Sequence, residues 1–315
     1  MEIVLLFPGQ GSQKPGMGRD LAAAFPAARA VFESVDEALG EALSHVAFEG
    51  PEEALTRTDA AQPALLAHGA AVWAIVGSAL GPSVRAAAGH SLGEFTAYHA
   101  GGALALGDAA RLVRRRGTLM RESGVAAPGA MAAILGVLTT SIDVLCATAS
   151  EASGQVVPAN YNAAEQTVVS GDVAAVERVM ALAKAHGAKR AVRLPVSGAF
   201  HSPLMASATA GLADALARAP FVDARIPIYG NVDGQPTTSA TDARTRLARQ
   251  LTSPVRWVDV MTRLAADYPA ALFVEMGPGA VLTGLAKRIA PQVATATCGT
   301  AAEVDALLAR VRVPA

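Results

Sequence analysis

The stretch Gly89-His90-Ser91-Leu92-Gly93-Glu94 constrains this chain more than any other, because a strand must become a helix there. Val84 to Ala88 reads as a short buried strand of small apolar residues, and Leu92 to His99 holds no helix breaker. Glycines at 89 and 93 leave room for a strained strand-to-helix turn that lifts the Ser91 hydroxyl clear of the backbone. This is the form of a nucleophile elbow, whose helix N-terminus aims N–H donors and a positive dipole end at an acyl oxyanion. Gly-x-Ser-x-Gly also occurs by chance, so the flanking strand and helix give it its weight.

Other bounds are looser. A chain of 315 residues fits one large domain with an insertion, or two domains. Its 52% hydrophobic and 17% charged residues, with many alanines, suit an α/β protein of closely packed helices. A net charge of −1 offers no global footprint for nucleic acid or anionic membrane. Cys146 and Cys298 match no metal or redox spacing and read as reduced core residues of a cytosolic protein. Met1 to Phe7 looks like a first strand and not a signal segment. From Asp59 to Arg85 there is no charged residue in between, which suggests a membrane span. Gln62, Pro63, His68 and Pro82 interrupt the run, and Gly69 to Gly77 is too short to cross about 30 Å of hydrocarbon, so a buried helix is expected.

Along the chain, a buried strand (Glu2 to Phe7) ends in the glycine-bearing loop Pro8 to Gln13. Helices are predicted over Phe25 to Leu39, Glu52 to Arg57, Ala60 to Leu80 and Asp108 to Ser123, with Pro128-Gly129 as a break. Then follow a strand (Met131 to Val137), a helix (Ser141 to Ala152) and two strands (Val156 to Tyr161, Thr167 to Gly171). A helix (Val173 to His186) and a strand (Lys189 to Leu194) complete the order βαββαβ, a ferredoxin-like arrangement whose ends lie close enough for insertion into another domain. Strands near Ile226 to Tyr229 and Ala271 to Glu275, and helices near Asp242 to Leu251, Val258 to Ala266 and Val281 to Ile289, resume the larger unit.

A serine nucleophile needs a base. Among six histidines, His186 sits at a helix C-terminus before Gly187 and His45 in a polar connection. His90 neighbours Ser91 in an extended segment, so it is expected to face the other way and to be structural. His201 is presented where Ser202 can cap a helix with Pro203 in its first turn; it either completes that cap or serves as the base. Arg116 falls in the apolar arc of its helix, marked by Leu112, Val113, Leu119 and Met120, while Arg111, Arg114 and Arg121 lie opposite. A buried guanidinium requires either a protein carboxylate or a ligand. Lys189, Arg190 and Arg193, with Arg114 and Arg115, form either a docking surface or ordinary solvated charge.

The elbow, Phe7-Pro8-Gly9-Gln10-Gly11-Ser12-Gln13, Arg116-Gly117, Gly129 to Ala133, His201, Gln250-Leu251 with Pro254-Val255 and Trp257, and Glu275 to Leu282 together resemble one family. It is the malonyl-CoA:acyl carrier protein transacylase family, which shares these motifs with acyltransferase domains of polyketide and fatty acid synthases. The likeness runs almost end to end. It implies an α/β fold in which an α/β-hydrolase-like large domain, residues 1–127 and 197–315, is interrupted by a ferredoxin-like subdomain, residues 128–196. By the same resemblance Ser91 is the nucleophile and His201 its general base and acid. Gln10 and Leu92 supply oxyanion-hole N–H groups, and Gln250 orients His201 through a carbonyl. Arg116, with Gln10, Phe200 and Asn160, binds substrate, and Asn162 lies near the site. Phe200 is what malonyl-selective members tend to have, where Ser goes with methylmalonyl. No triad carboxylate, metal or redox cofactor is implied.

The implied reaction moves malonyl from malonyl-CoA, through a malonyl-serine, to the phosphopantetheine thiol of an acyl carrier protein. It would feed fatty acid synthesis in the cytoplasm, carried out by a monomer without nucleic-acid or membrane partners. Alternatives are an acyltransferase of a polyketide or malonate decarboxylase system and a serine thioesterase or hydrolase. A non-enzymatic carrier-binding module is disfavoured by the nucleophile, base and buried arginine.

Overall fold

The structure, a computed structural model, describes residues 1–152, 154–196 and 198–312; the expected domain boundary at Ser197 therefore lies outside the described residues. In chain order the elements are β1 (Ile3–Phe7), α1 (Arg19–Ala24), α2 (Pro26–Leu39), α3 (Leu43–Glu49), α4 (Glu52–Thr56), α5 (Thr58–Leu80), β2 (Val84–Gly89), α6 (Gly93–Ala100) and α7 (Leu106–Ala126). Next come β3 (Ala130–Leu135), α8 (Ile142–Ala152), β4 (Val156–Ala163), β5 (Gln166–Gly171), α9 (Val173–Ala185) and β6 (Arg190–Arg193). The remainder is α10 (Ala206–Arg218), β7 (Ile228–Tyr229), β8 (Pro236–Thr237), α11 (Ala240–Gln250), α12 (Trp257–Asp267), β9 (Leu272–Met276), α13 (Val281–Ile289), β10 (Ala294–Cys298) and α14 (Ala301–Arg312).

Two sheets organise the molecule, and its architecture is mixed α/β. The larger has the order β10-β9-β1-β2-β7-β8, parallel except for β8, and is assembled from chain on both sides of the smaller one. Every residue of β1 is buried because helices cover both faces. Ile3, Leu5 and Phe7 pack into the core with α2, α5 and α7, while Val4 and Leu6 point into a second core under α12 and α13. The smaller sheet, β4-β5-β3-β6, is antiparallel and comes from one contiguous segment in which α8 and α9 cover one face. It is fastened to the larger unit where Val255 bonds Ala159 O (2.8 Å) and accepts from the Tyr161 N–H (2.9 Å).

The charge-free run is indeed a helix. By length and composition α5 would suit a membrane span, yet it packs against α2, α6, α7 and α14. Cys146 and Cys298 are free and buried, and burial pushes both thiols up to about 12. Several elements exceed the sequence expectation. His45 stands in α3 and not in a connection; α1 and α3 have six and seven residues, too few to show a periodicity, and depend on packing. The strand β10 reads Ala-Thr-Ala-Thr-Cys at the sheet edge, half-exposed, and so lacks the apolar run that marks β1.

Candidate active site

The C-terminal ends of β1 and β2 lie side by side, and the loops leaving them meet. His90 N–H donates to Phe7 O at 2.9 Å, and a Cβ at Gly9 would fall 2.4 Å from His90 O. At the turn itself, a Cβ on Gly89 would sit 1.9 Å from Gly93 C, and one on Gly93 would sit 2.0 Å from Phe7 O. Only glycine fits either position. The packed turn forces Ser91 to φ 51°, a left-handed conformation that is costly for a side-chain-bearing residue. Asn231 braces it: its Oδ1 accepts the Ser91 N–H (2.6 Å) and its Nδ2 donates to Gly89 O (2.7 Å).

His201 stands opposite, on the loop before a 3-10 turn at Pro203–Met205 that Ser202 caps by accepting the Leu204 N–H. Its Nε2 is 2.8 Å from Ser91 Oγ, and its Nδ1 faces the carbonyl oxygens of Gln250 (2.9 Å) and Ser253 (3.2 Å). Two carbonyls on Nδ1 require the hydrogen there, which leaves a lone pair on Nε2 for the hydroxyl proton. Burial, with the Arg116 charge behind it, pushes the imidazole down to about 3 and keeps it neutral. His201 has φ 58°, and among the described residues it and Ser91 are the non-glycine residues with positive φ. Backbone strain concentrates on the serine–histidine pair.

Arg116 is 1% exposed, at the buried position its helical arc predicts. Its protein partners are not the carboxylate that the sequence offers as one alternative. Nη1 donates to Gln62 Oε1 (2.7 Å), and Nη2 donates to Gln250 Oε1 (2.8 Å) and Ser91 Oγ (3.0 Å). Among the described residues no carboxylate lies within ion-pair distance of it; amide oxygens take that place. The guanidinium carbon lies 5.4 Å from the Phe95 ring centroid, and burial lowers the group to about 10, so it remains charged at neutral pH. A buried cation held by neutral oxygens is poised for an anion.

Ser91, His201 and Arg116 line the floor of a cavity of about 480 Å³ that also touches Gln10, Leu92, Phe200 and Asn160. Among the described residues the N–H groups of Gln10 and Leu92 have no protein acceptor, as oxyanion donors require. The Gln10 side chain donates instead to Thr58 Oγ1 (3.1 Å). His90 corrects one expectation. It lines the same cavity as Ser91, because the chain turns at Ser91 and the alternation of an extended strand ends there. Its Nε2 meets Asn162 Oδ1 at 2.8 Å.

Three residues of the site carried no role in the sequence reading. Asn231 follows β7 at the carboxyl edge of the sheet, Gln62 interrupts the charge-free run of α5, and Glu94 is a lone acid in a helix whose other residues are apolar, small or neutral. Each is a polar residue at a position that the surrounding pattern marks as buried, and that was the available signal.

A strained serine bonded to a neutral imidazole, at the carboxyl edge of a parallel sheet and beside a buried cation, has the form of an acyl-transfer site. The chain belongs to the acyl transferase domain family, whose model matches residues 4–307. It is an acyltransferase, as the resemblance implied. The malonyl CoA-acyl carrier protein transacylases of Bacillus subtilis and Escherichia coli are each 43% identical to it over 289 residues, covering 91% of this chain and 90% and 93% of theirs. Among solved structures, an acyl-carrier-protein-S-malonyltransferase from Bartonella henselae superposes with a TM-score of 0.94 at 40% identity, over 99% of this chain and 100% of that one. A malonyl-transacylase in complex with a type II polyketide synthase acyl-carrier protein gives 0.93 at 39%, over 98% and 100%.

Proposed function

We propose that this chain transfers the malonyl group of malonyl-CoA to the phosphopantetheine thiol of an acyl carrier protein, in the cytoplasm and in the service of fatty acid synthesis. The observation that carries the reading is the shared contact of Ser91 Oγ with His201 Nε2 and Arg116 Nη2 (2.8 and 3.0 Å), which puts a nucleophile, its base and a cation within one hydrogen-bond shell. Ser91 Oγ attacks the thioester carbonyl while its proton passes to His201 Nε2, and the oxyanion takes the Gln10 and Leu92 N–H groups. Collapse expels the CoA sulfur, which receives that proton. In the second half the carrier thiol gives its proton to His201, attacks the malonyl ester and returns the hydroxyl to Ser91. Arg116 pairs with the free malonyl carboxylate, Phe200 and Asn160 shape the acyl pocket, and the Gln250 carbonyl holds the imidazole.

The architecture is α/β-hydrolase-like over residues 1–127 and 197–315, with residues 128–196 as a ferredoxin-like insertion. The contiguous β3 to β6 segment, with strand order β4-β5-β3-β6, supports that division. Incubation with radiolabelled malonyl-CoA tests the function. Label is expected on the protein when no carrier is added and on the carrier when it is; release as free malonate with none on the carrier would make the protein a hydrolase.

A further inference from the structure

The chemistry above leaves one carboxylate without a task. Glu94 lies in the first turn of α6, 1% exposed, and among the described residues it makes no ion pair. A buried acid of this kind is costly unless its bonds accomplish something. Its Oε2 accepts from Gln250 Nε2 (2.8 Å) and from the Asn231 N–H (3.0 Å), and Oε1 has no partner. Those two partners hold the rest of the site. Asn231 takes the Ser91 N–H, while Gln250 holds His201 through its carbonyl and Arg116 through its side chain.

We propose that Glu94 is a positioning residue for acyl selectivity: its Oε2 fixes the Gln250 carboxamide the one way round that presents Oε1 to Arg116, and so aims the guanidinium at the acyl carboxylate. A carboxamide can sit either way in its site. Here Nε2 meets two acceptors, Glu94 Oε2 (2.8 Å) and Ser91 O (3.1 Å), and Oε1 meets one donor, Arg116 Nη2 (2.8 Å). Reversal would set an NH2 against the guanidinium and an oxygen against two oxygens. The Arg116 Nε has no partner, so the angle of its fork rests on Gln62, Gln250 and the Ser91 hydroxyl. Without Glu94 the Gln250 Nε2 would keep one acceptor, the Ser91 carbonyl, and the amide would be held by that bond and by Arg116 itself.

The charged and titratable groups facing Glu94 are Arg116 of α7, Arg246 of α11, Asp233 beyond β7 and Tyr98 of its own helix. Burial pushes its carboxyl up to about 7. A proton on the unpartnered Oε1 leaves Oε2 accepting both bonds, so the brace works in either charge state. Glu94→Gln reproduces the protonated form and is the conservative variant.

This inference rests on Arg116 binding the malonyl carboxylate, and the test separates the two ideas. Steady-state kcat/KM is measured for malonyl-CoA and acetyl-CoA with the wild type, Arg116→Ala, Glu94→Ala and Glu94→Gln, with thermal melting as the check on folding. Glu94→Ala is expected to lower the malonyl value about tenfold or more, the scale of a misplacement somewhat below 1 Å, and to lower the acetyl value by a smaller factor, so that the malonyl-over-acetyl preference falls at least about threefold. Glu94→Gln is expected to recover most of the malonyl preference. Equal losses for the two substrates in Glu94→Ala, an unaltered preference, or a Glu94→Gln protein as impaired as Glu94→Ala would each overturn the inference. If Arg116→Ala abolishes the preference while Glu94→Ala leaves it intact, only the inference falls; if Arg116→Ala keeps the preference, the Arg116 assignment falls and takes the inference with it. Should Glu94→Ala fail to fold, Glu94→Met fills the space without supplying an acceptor and gives the same reading.

Discussion

The floor and the mouth of the cavity are built on opposite principles. On the floor, Ser91, His201 and Arg116 close a ring of hydrogen bonds with the buried Gln250 behind them, which enters it twice, by its carbonyl and by its side chain. At the mouth, Leu194, Val196 and Val281 present apolar, partly exposed side chains from two different units of the fold. Such side chains make no directional bonds and so dictate no fixed geometry. The floor cannot give by 1 Å without cost, because reacting groups lose on the order of a hundredfold when misplaced that far. Substitutions on the floor should therefore strike the chemical step, and those at the rim should strike partner binding.

The largest expected effect is on the proposed base. His201→Ala should slow acylation by malonyl-CoA at least about a hundredfold in single-turnover experiments. An equal effect from Val281→Ala would erase the distinction between floor and mouth. Next, if Arg116 pairs with the malonyl carboxylate as proposed, Arg116→Ala removes one partner of a buried charge pair, a loss of about 2 to 5 kcal/mol. That should depress kcat/KM for malonyl-CoA by roughly 30-fold or more and leave acetyl-CoA unaffected or favoured. Asn231→Ala sharpens the comparison by testing the elbow's brace and not its chemistry. It strands the Ser91 N–H and Gly89 O, and denaturant titration should find stability lower by about 1 to 3 kcal/mol together with a lower kcat.

Acid should probe the floor as well. Unfolded, His201 and His68 take a proton near 6.5; folded, burial holds them to about 3 and about 4. Between those values the unfolded chain binds more protons, so these two groups make stability fall as the pH drops below 6.5. Glu94 acts in the opposite sense. Its folded value of about 7 against an ordinary 4.5 makes stability fall as the pH rises through that window. One histidine is thus offset between 4.5 and 6.5, and His68→Gln should flatten the pH dependence of the unfolding free energy from urea titration by an amount on the order of 2 kcal/mol over that range. The smallest effect belongs to the rim side of the molecule. Charge reversal at the exposed Lys189 and Arg190 should raise KM for the carrier a few-fold, roughly the scale of rim charges, and leave acylation by malonyl-CoA unchanged.

Much of this was legible in the chain. The elbow could be read because Gly89, Ser91 and Gly93 encode a backbone conformation, and Arg116 because helical periodicity fixes which face is buried. The βαββαβ segment could be read from the succession of short strands and amphipathic helices between Ala130 and Leu194. What stayed hidden depends on distance along the chain. The amides that satisfy Arg116 are 54 and 134 residues away, and Asn231 reaches Ser91 across 140. No local pattern carries such pairings. His90 misled because the alternation rule holds only while the strand lasts, and α1 and α3 are too short to announce themselves.

The central claim is that Ser91 carries the acyl group. Intact-mass measurement after brief exposure to malonyl-CoA, followed by peptide mapping, tests it most directly. The account predicts a single malonyl increment on the peptide containing Ser91, lost on addition of holo acyl carrier protein and absent from Ser91→Ala. A stable increment that persists in Ser91→Ala, or that maps to another residue, would contradict it.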